Sequence, residues 1–86
     1  MTADGIVEVD ARGHRCPVPT LRLQKALEAA GAGQRVRLLA DDPMARIDVP
    51  HFLAGKAYRL VESSSEGATL SFLVETPSAP DARAGP

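Results

Sequence analysis

The chain has 86 residues, which is enough for one domain with a modest hydrophobic core. Ten basic and eleven acidic side chains give a formal net charge of −1, so no cationic excess favours nucleic acid or an anionic membrane. One cysteine excludes an internal disulfide, and no apolar run suits a bilayer span or a secretory signal. We therefore expect one domain over residues 1–76, monomeric when alone and located in the reducing cytoplasm.

The first predicted element is a strand at residues 6–11, with Val7, Val9 and Ala11 on one face. A loop containing Gly13 follows. Apolar side chains at helical spacing then predict a helix over residues 17–30. The stripe that would face the core consists of Pro19, Leu23, Ala26, Leu27 and Ala30. Glycines at positions 31 and 33 are typical of a helix end.

The second predicted strand is RVRLLA at residues 35–40, with Val36, Leu38 and Ala40 facing inward. The DDP sequence that follows it is typical of a helix start. Because a proline at position 50 interrupts the next segment, the sequence predicts a single turn at residues 44–46 and a separate helix at residues 49–54. Asp48 would be the cap of that second helix, as Asp42 would be for the turn.

The last two predicted strands cover residues 58–63 and 69–75, and a turn-rich segment joins them. Residues 77–86 have no apolar periodicity, which predicts a flexible tail. The element order is then βαβαββ, and several strands have one apolar and one polar face. This pattern predicts a two-layer α/β sandwich in which two helices cover one face of a four-stranded mixed sheet.

The motif HRCPVP places the only cysteine, Cys16, at the start of the first predicted helix. We expect Cys16 to be the N-cap, with Pro17 and Pro19 in the first turn and removing two of the amides that a helix start leaves unbonded. The amides of Cys16 and Val18 would remain near the sulfur. Because a helix N-terminus favours an anion, the sequence predicts an exposed and moderately acidic thiol.

Several kinds of chemistry are open to such a thiol. A hydrolase nucleophile needs a base, and neither His14 nor His51 is placed by the sequence to serve as one. Dithiol exchange needs a second cysteine, and Pro19 occupies its place in a Cys-x-x-Cys motif. A lone exposed thiol suits a persulfide, which a neighbouring thiol would destroy. A peroxide-sensing thiol, a regulatory domain that only binds partners, and an inert buried cysteine remain alternatives.

No metal or other cofactor is predicted, because His14, Cys16 and His51 lack a recognised zinc-ligand spacing. Leu21 falls opposite the core stripe of the first helix, one turn after Cys16. We expect Leu21 and Arg22, with Arg15, to be docking residues for proteins that meet the sulfur.

The stretch from VDARGHRCPVP through LADDPMARIDVPHF to the last strand resembles the TusA/SirA-like sulfur-carrier family, over about residues 6–76. The resemblance rests on Cys-Pro-x-Pro at the start of the first helix, on DDP after the second strand and on DVP further along. It implies the βαβαββ sandwich already inferred. It also implies that Cys16 carries sulfur as a persulfide, with Pro17, Val18 and Pro19 positioning it.

The resemblance further implies partner proteins. The sulfur donor would be a cysteine desulfurase or a rhodanese-like protein, and the acceptor a relay protein for tRNA thiolation, molybdenum-cofactor assembly or sulfur oxidation. Two positions depart from the family pattern: His14 stands where an aliphatic residue is common, and Leu53 stands near a position where some relatives have a second cysteine.

Overall fold

The structure of the chain is a computed structural model and describes residues 6–77, so all but the first residue of the predicted tail lies outside it. The element order is βαβαββ, as predicted. The strands and helices are β1 (Ile6–Asp10), α1 (Val18–Ala29), β2 (Arg35–Ala40), α2 (Ala45–Leu53), β3 (Arg59–Glu66) and β4 (Thr69–Glu75).

The four strands form one mixed sheet in the order β1-β2-β4-β3. The strands β1 and β2 are parallel, and β4 runs antiparallel to both of its neighbours, β2 and β3. Arg35, at the start of β2, is paired with Ile6 on one side and Glu75 on the other. The start of β1 and the end of β4 therefore lie at the same end of the sheet, on either side of the start of β2.

Both helices pack on the same face of this sheet. The alternate side chains of β2 and β4 that point to that face join the buried stripes of α1 and α2 in one cluster. The fully or nearly buried members are Ala11, Leu23, Leu27, Val36, Leu38, Ala40, Ala45, Val49, Leu53, Leu70, Phe72 and Val74. The predicted inward-facing residues of β2 are confirmed. Val7 is not buried as predicted, because it lies at the exposed end of an edge strand.

The second helix is one continuous element and not the predicted turn followed by a separate helix. The chain enters this helix through tight turns with hydrogen bonds between residues three apart. The amide of Ala45 donates to the Asp42 carbonyl, and that of Arg46 donates to the Pro43 carbonyl. Pro50 lies inside the helix on its exposed side, while Val49 and Leu53 are buried on either side of it. Tertiary packing thus outweighs the missing amide. Asp48 is consequently in the first turn of α2 and not its cap.

The connection between β3 and β4 is shorter than predicted. Glu66 pairs directly with Thr69, so the turn contains only Gly67 and Ala68. Gly67 has a φ of 61°, which a two-residue hairpin turn requires and which glycine adopts without steric cost. The serine-rich segment that looked like a loop is therefore part of an exposed edge strand.

Candidate functional site

The site forms where the loop after β1 meets the loop after β2. Because β1 and β2 are parallel neighbours, the two loops leave the sheet at the same edge. Two carboxylates of the second loop bind amides of the first. Both oxygens of Asp41 accept the Gly13 N–H, at 3.0 and 3.1 Å, and Asp42 Oδ2 accepts the Cys16 N–H at 2.8 Å. The loop that carries the cysteine is thus fixed to the end of β2.

Cys16 lies one residue before the N-cap of α1, and the prediction that it is the N-cap is wrong. The N-cap is Pro17, whose peptide bond with Cys16 is cis. The two amides expected to remain near the sulfur have other partners: the Val18 N–H donates to the Arg15 carbonyl at 2.9 Å, and the Cys16 N–H is bound by Asp42. The sulfur therefore depends on side chains, and not on these amides, for its hydrogen bonds.

The cysteine side chain is half-buried and packs against the core cluster. Burial raises the pKa of the Cys16 thiol to about 11, and a hydrogen bond to the Asp48 carboxylate and the negative charges of Asp48 and Asp42 act in the same direction. The prediction of a moderately acidic thiol is therefore wrong. The prediction assumed a fully exposed sulfur and left out the carboxylate that α2 brings beside it.

Thr20 acts on the pKa of the Cys16 thiol in the opposite sense. It lies one helical turn after Cys16 and is 9% exposed. Its Oγ1 is fully buried and has no hydrogen bond of standard geometry in the structure, yet the hydroxyl is close enough to the sulfur to lower the pKa of the Cys16 thiol. A threonine hydroxyl in a helix commonly bonds the carbonyl four residues before it, and this one does not.

Asp42 stays ionised over a wide pH range. The pKa of its carboxyl is lowered because it accepts the Cys16 and Met44 amides, and the charge of Arg15 adds to this. The Oδ1 atom of Asp42 accepts the Met44 N–H at 3.0 Å, so its predicted role as a cap for the turn after β2 is confirmed. Its second oxygen, bound to Cys16, gives it a role in the site that sequence reasoning missed.

The three predicted docking residues are exposed. Leu21 is 54% exposed, and Arg15 and Arg22 lie on the surface, with Arg22 Nη1 3.5 Å from His14 Nε2. Among the motif residues, Pro17 and Val18 are exposed whereas Pro19 is part of the buried interior. Two exposed apolar side chains at the start of α2 were not foreseen, Met44 and Ile47.

Two features of the sequence could have revealed the residues that were missed. Thr20 is four residues after Cys16, in the first turn of the helix that begins beside it. The carboxylates follow a strand that, in a parallel pair, must end beside the first loop. The sequence did not predict that Asp48 would lie beside the sulfur, because its position depends on α2 continuing through a proline.

Other parts of the described chain do not form a competing site. Across residues 6–77, no group of three or more histidine, cysteine or acidic side chains is arranged to hold a metal ion. An open cleft of about 720 Å³ lies at the other end of α1, between Gly31 and Tyr58, and Cys16 is not part of its lining. None of the helices described here is long and apolar enough to cross a bilayer.

The fold and site together define a small two-layer α/β protein with a single cysteine at the start of its first helix. The model of the family described as "Sulfurtransferase TusA" matches residues 7–76, and the chain belongs to this TusA/SirA-like family. The chain is similar to the sulfur carrier protein TusA of Allochromatium vinosum, with 38% identity over 73 residues, 85% of this chain and 96% of the relative.

The fold is also found in a solved structure. The crystal structure of the SirA-like protein from Desulfitobacterium hafniense superimposes with a TM-score of 0.72 at 27% identity, covering 84% of this chain and 99% of the other. The two helices and the four-stranded mixed sheet of this chain are thus the fold of a SirA-like protein.

Proposed function

We propose that the protein accepts sulfane sulfur as a persulfide on Cys16 and delivers it to a thiol of an acceptor protein. The observation that supports this most directly is the position of the only cysteine, half-buried at the helix start and beside exposed side chains, in a chain that belongs to a sulfur-carrier family. No second thiol of the chain can attack the persulfide and expel its outer sulfur. On this proposal, sulfur transfer needs no cofactor, since the only group added to the protein is the sulfur carried on Cys16.

The chemistry consists of two transfers that conserve atoms and electrons. In the first, the Cys16 thiolate attacks the outer sulfur of a donor persulfide, the donor's S–S bond breaks, and the electron pair leaves on the donor thiolate. In the second, an acceptor thiolate attacks the outer sulfur on Cys16, and the electron pair returns to Cys16. No oxidant or reductant is consumed.

A protonated resting thiol argues against a peroxide sensor. Peroxide reacts with the thiolate, which is scarce at neutral pH when the thiol pKa is about 11. Sulfur transfer needs the thiolate as well, so on this proposal the bound donor must promote its formation.

Intact-protein mass spectrometry tests the proposal. After incubation with a cysteine desulfurase and cysteine, or with polysulfide, the protein should gain the mass of one sulfur atom, and dithiothreitol should remove it. The Cys16→Ser variant should gain nothing. A protein that gains only oxygen with peroxide would be a redox sensor, and one that gains neither would be a binding domain.

Donor and acceptor proteins would dock on the exposed side chains beside the sulfur, Arg15, Leu21 and Arg22. Leu21→Ala and Arg22→Glu should slow sulfur transfer from a protein donor but not loading by polysulfide, which needs no docking. Lys56→Glu is a charge-matched control, because Lys56 is exposed beside the cleft at the other end of α1. Equal transfer rates in all three variants, for every donor tried, would contradict this docking surface.

A further inference from the structure

The hydroxyl of Thr20 is an unusual group to find in the interior of a small protein. It is buried, and it has no hydrogen bond of standard geometry. A buried hydroxyl without a partner is destabilising, and most such groups in folded proteins are paired. Valine has nearly the same shape and would fill the same space without this cost. The presence of threonine here therefore points to a requirement other than packing.

This hydroxyl lies in the first turn of α1, just after Cys16, and it lowers the pKa of the Cys16 thiol. A hydroxyl can donate to a thiolate, and its effect on Cys16 is in that direction. The other polar groups around the sulfur cannot do this. The Asp48 and Asp42 carboxylates are acceptors when ionised and repel the anion, and the Cys16 and Val18 amides are already bound to Asp42 and Arg15.

We propose that Thr20 is a catalytic residue of sulfur transfer, whose hydroxyl donates a hydrogen bond to Cys16 Sγ whenever that atom carries negative charge. This inference rests on the proposed carrier function. Sγ becomes negative twice in the cycle: as the nucleophile that attacks the donor's outer sulfur, and as the leaving group when the acceptor takes that sulfur away.

Proton movement completes the first transfer. The thiol of the empty carrier donates its hydrogen bond to Asp48, so Asp48 is placed to receive the proton when Cys16 attacks. The Thr20 hydroxyl then replaces the lost proton as the partner of Sγ. The proton passes to the donor thiolate that is released, so the net reaction exchanges one persulfide and one thiol for another such pair.

The test measures the rate of Cys16 alkylation by iodoacetamide against pH in the wild type, Thr20→Val and Thr20→Ser. Thr20→Val should slow alkylation at pH 8 by about tenfold, because hydrogen bonds to charged groups are among the stronger ones, and should move the pH profile upward. Thr20→Ser keeps the hydroxyl and should restore both. Urea unfolding should show Thr20→Val at least as stable as the wild type.

An unchanged pH profile in Thr20→Val would overturn the proposal, and so would equal slowing in the valine and serine variants. Loading of the same variants by polysulfide adds the functional readout, and Thr20→Val should load more slowly at pH 8. The two proposals fail separately. Alkylation uses no sulfur donor, so its rates test the role of Thr20 without depending on the carrier function. Failure of the wild type to take up sulfur would contradict the carrier function.

Discussion

Cys16 has surroundings that oppose its ionisation, although it lies at the start of a helix. Burial against the core and the carboxylates of Asp48 and Asp42 together outweigh the hydroxyl of Thr20. A single residue therefore shows why a motif does not by itself predict reactivity. The motif gave the correct nucleophile candidate, but its acidity depends on side chains that are 26 and 32 positions further along the chain.

We predict that Cys16 reacts slowly with iodoacetamide at neutral pH. Because the thiol pKa is about 11, the rate should rise about tenfold for each pH unit between 7 and 10 and show no plateau in that range. Alkylation kinetics followed by mass spectrometry would check this, with Cys16→Ser as the unlabelled control. A plateau near pH 8 would show that burial and the carboxylates do not raise the pKa of this thiol.

The Asp42 carboxylate should stabilise the fold as well as the site. It accepts two amide N–H groups, those of Cys16 and Met44, so Asp42→Ala should lower the free energy of unfolding. Asp42→Asn keeps one acceptor oxygen and should lose less. Urea denaturation of both variants would measure the difference. An unchanged free energy of unfolding in Asp42→Ala would mean that water replaces the carboxylate at these amides.

At the scale of the elements, the sequence predicted what depends on local periodicity. Strand β2 and strand β4 have the predicted bounds, and α1 differs by one residue at each end. The errors fall where long-range packing decides. The helix α2 continues through Pro50 because its neighbours are buried on the sheet, and β3 is longer because pairing with β4 orders a serine-rich segment that has little strand tendency of its own.

The two leucines of α1 that are two residues apart should respond differently to truncation. Leu23 is fully buried, so Leu23→Ala should cost about 2–5 kcal/mol in the free energy of unfolding. Leu21 is exposed, and Leu21→Ala should change it by less than about 0.5 kcal/mol. Chemical denaturation of the pair would check the orientation of α1. Similar losses in both variants would show that this helix is rotated about its axis.

At the scale of the whole molecule, the site comes from the first half of the fold. The loops after β1 and β2 and the first turns of both helices supply all the groups described around the sulfur, whereas β3 and β4 complete the sheet beneath α2. The layer arrangement and element order were predictable from alternation along the strands. The arrangement of Thr20, Asp42 and Asp48 was not, because it requires the relative positions of three separate segments.

Stability should decline at both ends of the pH range. The folded-state pKa of Asp42 is lowered, so its contribution is present above its unfolded value of 3.8 and is lost as the pH falls below it. The folded-state pKa of Cys16 is raised, so its contribution is present below 9.0 and is lost as the pH rises towards 11. Urea midpoints measured from pH 3 to 11 would show both declines.

Cys16→Ala separates the sulfur from other groups that titrate in alkali. Its alkaline decline should be shallower than that of the wild type, while its acid decline should be the same. An identical alkaline decline in the two proteins would mean that the thiol titrates near its ordinary pKa of 9.0 in the folded state.

The pairing of Arg35 with both Ile6 and Glu75 has a practical consequence for how this molecule can be attached to other things. The beginning of β1 and the end of β4 flank the start of β2, with the length of the sheet between them and the cysteine. A fusion, an affinity tag or a chip linker joined at either side of the described segment would orient the sulfur outward. Immobilised in this way, the protein would still present its reactive surface to a visiting macromolecule.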